Sequence, residues 1–198
     1  MRHLYLALAL VATAGFLTSA SAPSIKASGS ANAPIMLEIF SDYQCPYCKK
    51  MYFDVFRPLM DDYVSKGKVY LVHHEYPLPI HSHAYEAACF ACAAHRMGKY
   101  EQVCDAMFRD QESWTASGKV GDSACSVLSP QEATRLRALA KDPSVAAEVQ
   151  EDVKLAQTTG VKGTPTAIIT YRLRTYGVPP GISYPVLRRF IDQLLAGN

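Results

Sequence analysis

Ile35-Met36-Leu37-Glu38-Ile39-Phe40-Ser41-Asp42-Tyr43-Gln44-Cys45-Pro46-Tyr47-Cys48 is the stretch that decides the fold. Its first half is a short run of strand-favouring residues closed by Ser41-Asp42, which suits a buried strand. Its second half opens a helix: from Pro46 onward the apolar positions Tyr47, Met51, Tyr52, Val55, Phe56 and Leu59 recur at helical steps, to about Ser65. A Cys-Pro-Tyr-Cys motif therefore falls at a strand-to-helix junction.

Outward from there, Lys68 to Tyr76 reads as a second strand, stopped by Pro77-Leu78-Pro79. Helical patterns follow at Ala84 to Met97, Tyr100 to Arg109, Pro130 to Lys141 and Ser144 to Thr158, with a looser stretch from Trp114 to Leu128. Pro130 and Pro143 fall where helix starts tolerate proline. A strand pair at Thr166 to Tyr171 and Arg174 to Val178 precedes a last helix from Tyr184 to Leu195. This order predicts an α/β fold with helices covering a central sheet. The helical block at 77–162 is too long for a simple crossover and is expected to form an inserted helical subdomain.

The chain has 198 residues, 49% hydrophobic and 19% charged, with a formal net charge of +2. That composition is globular and leaves no basic footprint for nucleic acid. Arg2 and His3 precede an apolar run from Leu4 to Leu17 and the small residues Thr18 to Ala22, the three-part pattern of a signal peptide over 1–22. The run falls short of the roughly 20 apolar residues that span a bilayer, so no stable membrane insertion is expected. Cleavage falls after Ala20 or Ala22, the first preferred because Pro23 follows the second. Residues 23–33 read as a flexible lead-in, with order beginning near Pro34 and one domain over 34–198. Export, to the periplasm or beyond, places the six cysteines where disulfides persist.

At the junction, Cys45 caps the helix and Cys48 lies one turn inside. Unpaired N–H groups and the helix dipole favour a thiolate on Cys45, the attacking sulfur, and Cys48 resolves the mixed disulfide. Pro46 costs little at a first helical position. The same spelling suits half a zinc site or an inert bridge. Zinc needs a second ligand pair, and none has knuckle spacing, so no metal site is assigned.

LEIFSDYQCPYC, the later EYPLPIHSHAYEAA, and Gly163-Thr164-Pro165-Thr166 ahead of a strand together resemble the DsbA-like branch of the thioredoxin superfamily, exported thiol:disulfide oxidoreductases. The resemblance implies a thioredoxin-like central sheet from about Pro34 onward. It makes Pro165 the cis-proline set against the active-site cysteines and Thr164 the residue whose backbone pairs with a substrate strand. It also matches Glu38 to an acid buried beneath the motif, a proton relay for Cys48. Tyr47 departs from the pattern of the strongest oxidants, which have His there, and so implies a milder oxidant.

Cys89, Cys92, Cys104 and Cys125 fall in the helical block, where three pairings are open and structural bridges are favoured over a second redox site. A bridge is expected to involve Cys104 or Cys125, across the looser stretch. His81 is read as a residue at the lip of the active site, and His73, His74 and His83 as surface.

The expected function is an oxidase that donates the Cys45–Cys48 disulfide to unfolded or newly exported proteins, as a monomer reset by a membrane redox partner. No bound cofactor is needed, because the electrons reside in the cysteine pair. A reductase or isomerase shares the same site. The isomerases of this kind dimerise through an extra domain, for which the reading leaves no segment. From a different class, a metal-delivery module would use the two thiolates as ligands, with Met51 the near candidate for a third.

Overall fold

The computed structural model describes residues 25–197; the expected signal peptide and its cleavage site lie outside the described residues. Strands β1 (Ala27–Ser28), β2 (Ile35–Ser41), β3 (Val69–Glu75), β4 (Thr166–Tyr171) and β5 (Arg174–Val178) form one sheet in the order β1-β3-β2-β4-β5. β2 and β3 are parallel, with Ile35 opposite Val69 and Ser41 opposite Glu75; the other pairs are antiparallel. Alternation then sends Leu37, Ile39, Leu71, Ala167 and Ile169 to one face, against the first helix and α9 (Tyr184–Leu195). Phe40 and Ile168 point to the other face, against Ala156 and Val161.

The first helix runs over 46–64, but not uniformly. α1 (Pro46–Met51) and α2 (Arg57–Leu59) alternate with wider π-helical turns at Tyr52–Phe56 and Met60–Val64. Pro58 has no N–H to give and its ring crowds the carbonyl one turn back, so the helix widens around it. The N–H of Arg57 reaches back five residues to Tyr52 O.

Between β3 and β4 lie α3 (Ala84–Arg96), α4 (Tyr100–Arg109), α5 (Gln111–Ser117), α6 (Val120–Cys125), α7 (Pro130–Leu139) and α8 (Pro143–Thr158). The stretch expected to be loose is thus two short helices, because buried Trp114, Val120 and Ala124 pack into the core beneath α3 and α4. Ser129 and Glu132 form a reciprocal capping box that starts α7. α8 packs against both α3 and β3, so one helix of the block doubles as the second layer over the sheet.

The lead-in expected to be flexible is ordered well before Pro34. β1 adds to the edge of β3, and Gly29, at φ +92°, passes so close that a Cβ would lie 2.7 Å from Val69 O. Lys26 is only 4% exposed and its Nζ lies 2.7 Å from Asp152 Oδ2 on α8. Removing one partner of a buried pair strands the other charge. Lys26→Ala is therefore expected to lower the unfolding free energy in urea by about 3 kcal/mol, where a substitution in a loose tail would change it by under about 0.5 kcal/mol.

Candidate active site

β2 ends where the first helix begins, and the turn between them is held by buried polar bonds. Asp42 has a fully buried side chain whose Oδ1 accepts the Gln44 N–H at 2.7 Å and whose Oδ2 accepts the Leu78 N–H at 2.8 Å. His81 Nδ1 lies 2.7 Å from the same Oδ2. Gln44 Oε1 accepts the His83 N–H at 2.8 Å, and Gln111 Nε2 donates to the carbonyls of Tyr43 and Cys45 at 2.6 and 3.0 Å. The loop before α3 and the start of α5 are thereby tied to the cysteine motif. Asp42, Gln44 and Gln111 escape the sequence reading; only Asp42, a turn-forming residue at a strand end, carried a local signal.

Cys45 precedes α1 in an extended conformation, and the N–H groups of Cys48 and Lys49 bond to its carbonyl. Cys48 lies inside the helix, buried, with its sulfur 3.4 Å from the Asp42 N–H donor. The two sulfurs face each other at hydrogen-bond distance. That contact acts oppositely on the two: donation from the Cys48 thiol, then backbone N–H groups and Thr164, lower the Cys45 pKa to about 6. Burial, then the neighbouring Cys45, push Cys48 far above the ordinary thiol range.

Across from the motif, the Thr164–Pro165 peptide is cis, and Cys45 Sγ lies 3.5 Å from Thr164 O. Beside them runs a groove of about 570 Å³, walled by Met51, Val55, Pro165 and Ile182, with Lys162 and the Lys50–Asp54 ion pair also lining it. Tyr47 is 73% exposed at its edge and touches the groove rather than the sulfurs' interior side.

Glu38 does not occupy the place expected for it. Its side chain is 26% exposed and its Oε1 lies 3.3 Å from His74 Nε2, on the sheet face opposite the first helix. Strand alternation decides this: the residue facing the helix at that level is Ile39, which is buried and cannot hold a proton. His73 and His74 are likewise not surface residues. Burial drives His73 down to about 3; His74, although burial opposes its charge, is raised to about 9 by Asp152 and Glu38.

All six cysteines are free thiols. Cys104 Sγ lies 2.8 Å from Tyr43 OH, and Cys125 Sγ points at Ala133 O, so the bridges expected in the helical block give way to buried thiols packed within it. Burial raises the pKa of each of these four, which leaves Cys45 alone activated.

A model of the family described as Thioredoxin matches residues 22–179. The chain belongs to the thioredoxin family. It is 26% identical over 188 residues to Disulfide bond formation protein D of Bacillus subtilis, covering 89% of this chain and 81% of that protein. The fold is similar to that of Wolbachia pipientis alpha-DsbA1, with a TM-score of 0.73 at 20% identity over 89% of this chain and 94% of that one. It is also similar to a thioredoxin-like oxidoreductase from Silicibacter pomeroyi, with a TM-score of 0.67 at 26% identity over 87% and 92% of the two chains. With its paired cysteines at a helix start, the chain is a DsbA-like thiol:disulfide oxidoreductase. Among the described residues no helix is long and apolar enough to cross a membrane.

The unlike sulfurs give a direct prediction. Alkylation of the reduced protein by iodoacetamide should modify Cys45 and spare Cys48, with a rate that rises with pH and reaches half its plateau near pH 6. A midpoint near the ordinary thiol value, about 8.5, would remove the activation.

Proposed function

We propose that this protein is an oxidase that donates its Cys45–Cys48 disulfide to exported proteins as they fold. The observation that carries this reading is the placement of the two sulfurs: Cys45 stands before the first turn of α1, where the Cys48 thiol and backbone N–H groups favour its thiolate, and Cys48 is buried inside the helix. A stabilised thiolate favours the reduced form, so the disulfide is readily given up. Tyr47 brings no positive charge to the motif, so the lowering comes from the Cys48 thiol, backbone N–H groups and Thr164, which suits a milder oxidant.

In the proposed sequence a substrate thiolate attacks Cys45 Sγ, the Cys45–Cys48 bond breaks, and Cys48 leaves and is protonated. A second substrate thiolate then attacks the substrate sulfur of the mixed disulfide and expels the Cys45 thiolate. Its low pKa makes it a good leaving group. The groove beside Pro165 takes an apolar side chain of the substrate, and the Thr164 backbone pairs with its main chain. A membrane redox partner then reoxidises the pair in the periplasm or an equivalent exported setting. The name of the Bacillus subtilis relative, which describes disulfide bond formation, supports the donating direction.

Equilibration of the mature protein in glutathione buffers, followed by alkylation and mass spectrometry, is expected to give a midpoint of about −120 to −180 mV. A value near about −250 mV or below would make the protein a reductase instead. Cys48→Ser, left with the Cys45 thiolate alone, should accumulate mixed disulfides when given a disulfide-bonded unfolded substrate, one substrate sulfur joining Cys45 and the other leaving as thiolate, and Cys45→Ser should form none.

A further inference from the structure

The ladders of β2 end at Phe40 opposite Thr166 on β4 and at Ser41 opposite Glu75 on β3. Asp42 therefore stands one residue beyond both ladders, and its N–H is directed to Cys48 Sγ at 3.4 Å. Both residues are buried, each 1% exposed, so this bond lies out of water. The other polar groups of Asp42 are fixed as well. Its carbonyl accepts the Cys45 N–H at 3.1 Å, Oδ1 closes a turn onto the Gln44 N–H, and Oδ2 meets the Leu78 N–H and His81 Nδ1. We propose that the Asp42 N–H is a catalytic donor that meets the charge developing on Cys48 Sγ as this sulfur leaves, and that the Asp42 carboxylate and His81 are positioning residues that keep the N–H aimed. The inference rests on disulfide exchange at Cys45 and Cys48.

The need for such a donor follows from the place of Cys48. A thiolate in a dry interior is costly unless fixed donors meet it, and burial opposes charge on this sulfur. The disulfide before the step and the thiol after it are both neutral, so negative charge on Cys48 Sγ is largest in the transition state. An N–H already aimed at that atom binds the transition state more strongly than either stable form. It lowers the barrier and leaves the equilibrium nearly where it was. The aim depends on a segment far along the chain. Gln44 holds Oδ1 from within the turn, but Oδ2 is gripped from the loop before α3, by the Leu78 main chain and by His81, whose side chain is 19% exposed.

In the step, a substrate thiol ionises, its proton passes to solvent, and its thiolate attacks Cys45 Sγ. A bond forms between the attacking sulfur and Cys45 as the Cys45–Cys48 bond breaks, and the electron pair of the broken bond passes to Cys48 Sγ. The attacking sulfur is oxidised and the protein pair is reduced. The Asp42 N–H keeps its own proton throughout, and the Asp42 carboxylate, held by Gln44, Leu78 and His81, neither gives nor takes one. One proton from solvent then completes the Cys48 thiol, matching the one released. Ring closure in the reverse direction has Cys48 lose that proton and attack Cys45 Sγ of the mixed disulfide, through the same transition state, so the N–H serves both directions.

The test reads three quantities on the full mature chain by thiol trapping and mass spectrometry: the rate at which glutathione reduces the oxidised protein, the equilibrium constant with glutathione, and the alkylation of Cys45 in the reduced protein. Asp42→Asn keeps an oxygen for the Gln44 N–H but turns an amide nitrogen against the Leu78 and His81 donors, so it should slow reduction about tenfold. The equilibrium constant should stay within about twofold, because the stable forms carry no charge on Cys48, and Cys45 alkylation should not change. His81→Ala should slow reduction about threefold. His81→Asn, whose amide N–H stands where Nδ1 stood, should restore the wild-type rate. This pair decides alone if Asp42→Asn does not fold. Unchanged rates in Asp42→Asn and His81→Ala would overturn the proposal. So would a slowing matched by an equal shift in the equilibrium constant or by lost Cys45 alkylation, which marks distortion of the motif, and so would a His81→Asn no faster than His81→Ala. If Asp42→Asn removed a break in the pH profile of the wild type, the carboxylate would be a proton carrier and the proposal would again fail. A wild-type pair that never cycles would instead overturn the oxidoreductase reading beneath it.

Discussion

The in-register pairing of β2 with β3 is the constraint on which the rest depends. A strand shows its side chains to alternate faces, so one pairing fixes the environment of every residue on both strands. It places Ile39, Ser41, His73 and Glu75 on the side of the first helix and sends Glu38 and His74 to α8. A slip of one residue would exchange an apolar core position for a carboxylate. The hydrophobic faces of Leu37, Ile39 and Leu71 hold the register against that slip.

From that register follows the polar chemistry at the strand ends. The strand that ends in Ser41 delivers Asp42 into a buried position, where an unpaired carboxylate would be costly. Backbone N–H groups from two separate segments and the His81 ring meet its oxygens. The same bonds that satisfy Asp42 fasten the helical block to the cysteine turn. Gln111 adds a clamp from the opposite side, so the motif is braced by residues far from it in the chain.

The two sulfurs then differ because of where the helix puts them. Cys45 stands before the first turn, where N–H groups lack partners and negative charge is favoured; Cys48 stands inside, where burial penalises it. One thiol thus becomes a nucleophile and leaving group, and the other holds its proton tightly.

The sequence by itself determined the elements whose signals are local. The strands Thr166–Tyr171 and Arg174–Val178 and the helices Tyr100–Arg109 and Tyr184–Leu195 fall where period and punctuation place them. The Cys-Pro-Tyr-Cys motif and the Thr-Pro pair were legible because their chemistry depends on spelling at a strand or helix end. Tertiary structure decided what depends on partners distant in the chain. Ala27–Ser28 is too short to declare itself as a strand without the open edge of β3 beside it. The π-helical turns arise where Pro58 must fit a helix that is already packed. No local pattern tells Glu38 from Ile39 as the residue facing the first helix, because a half-buried strand reads alike in either sense until its neighbours and covering helices fix its faces.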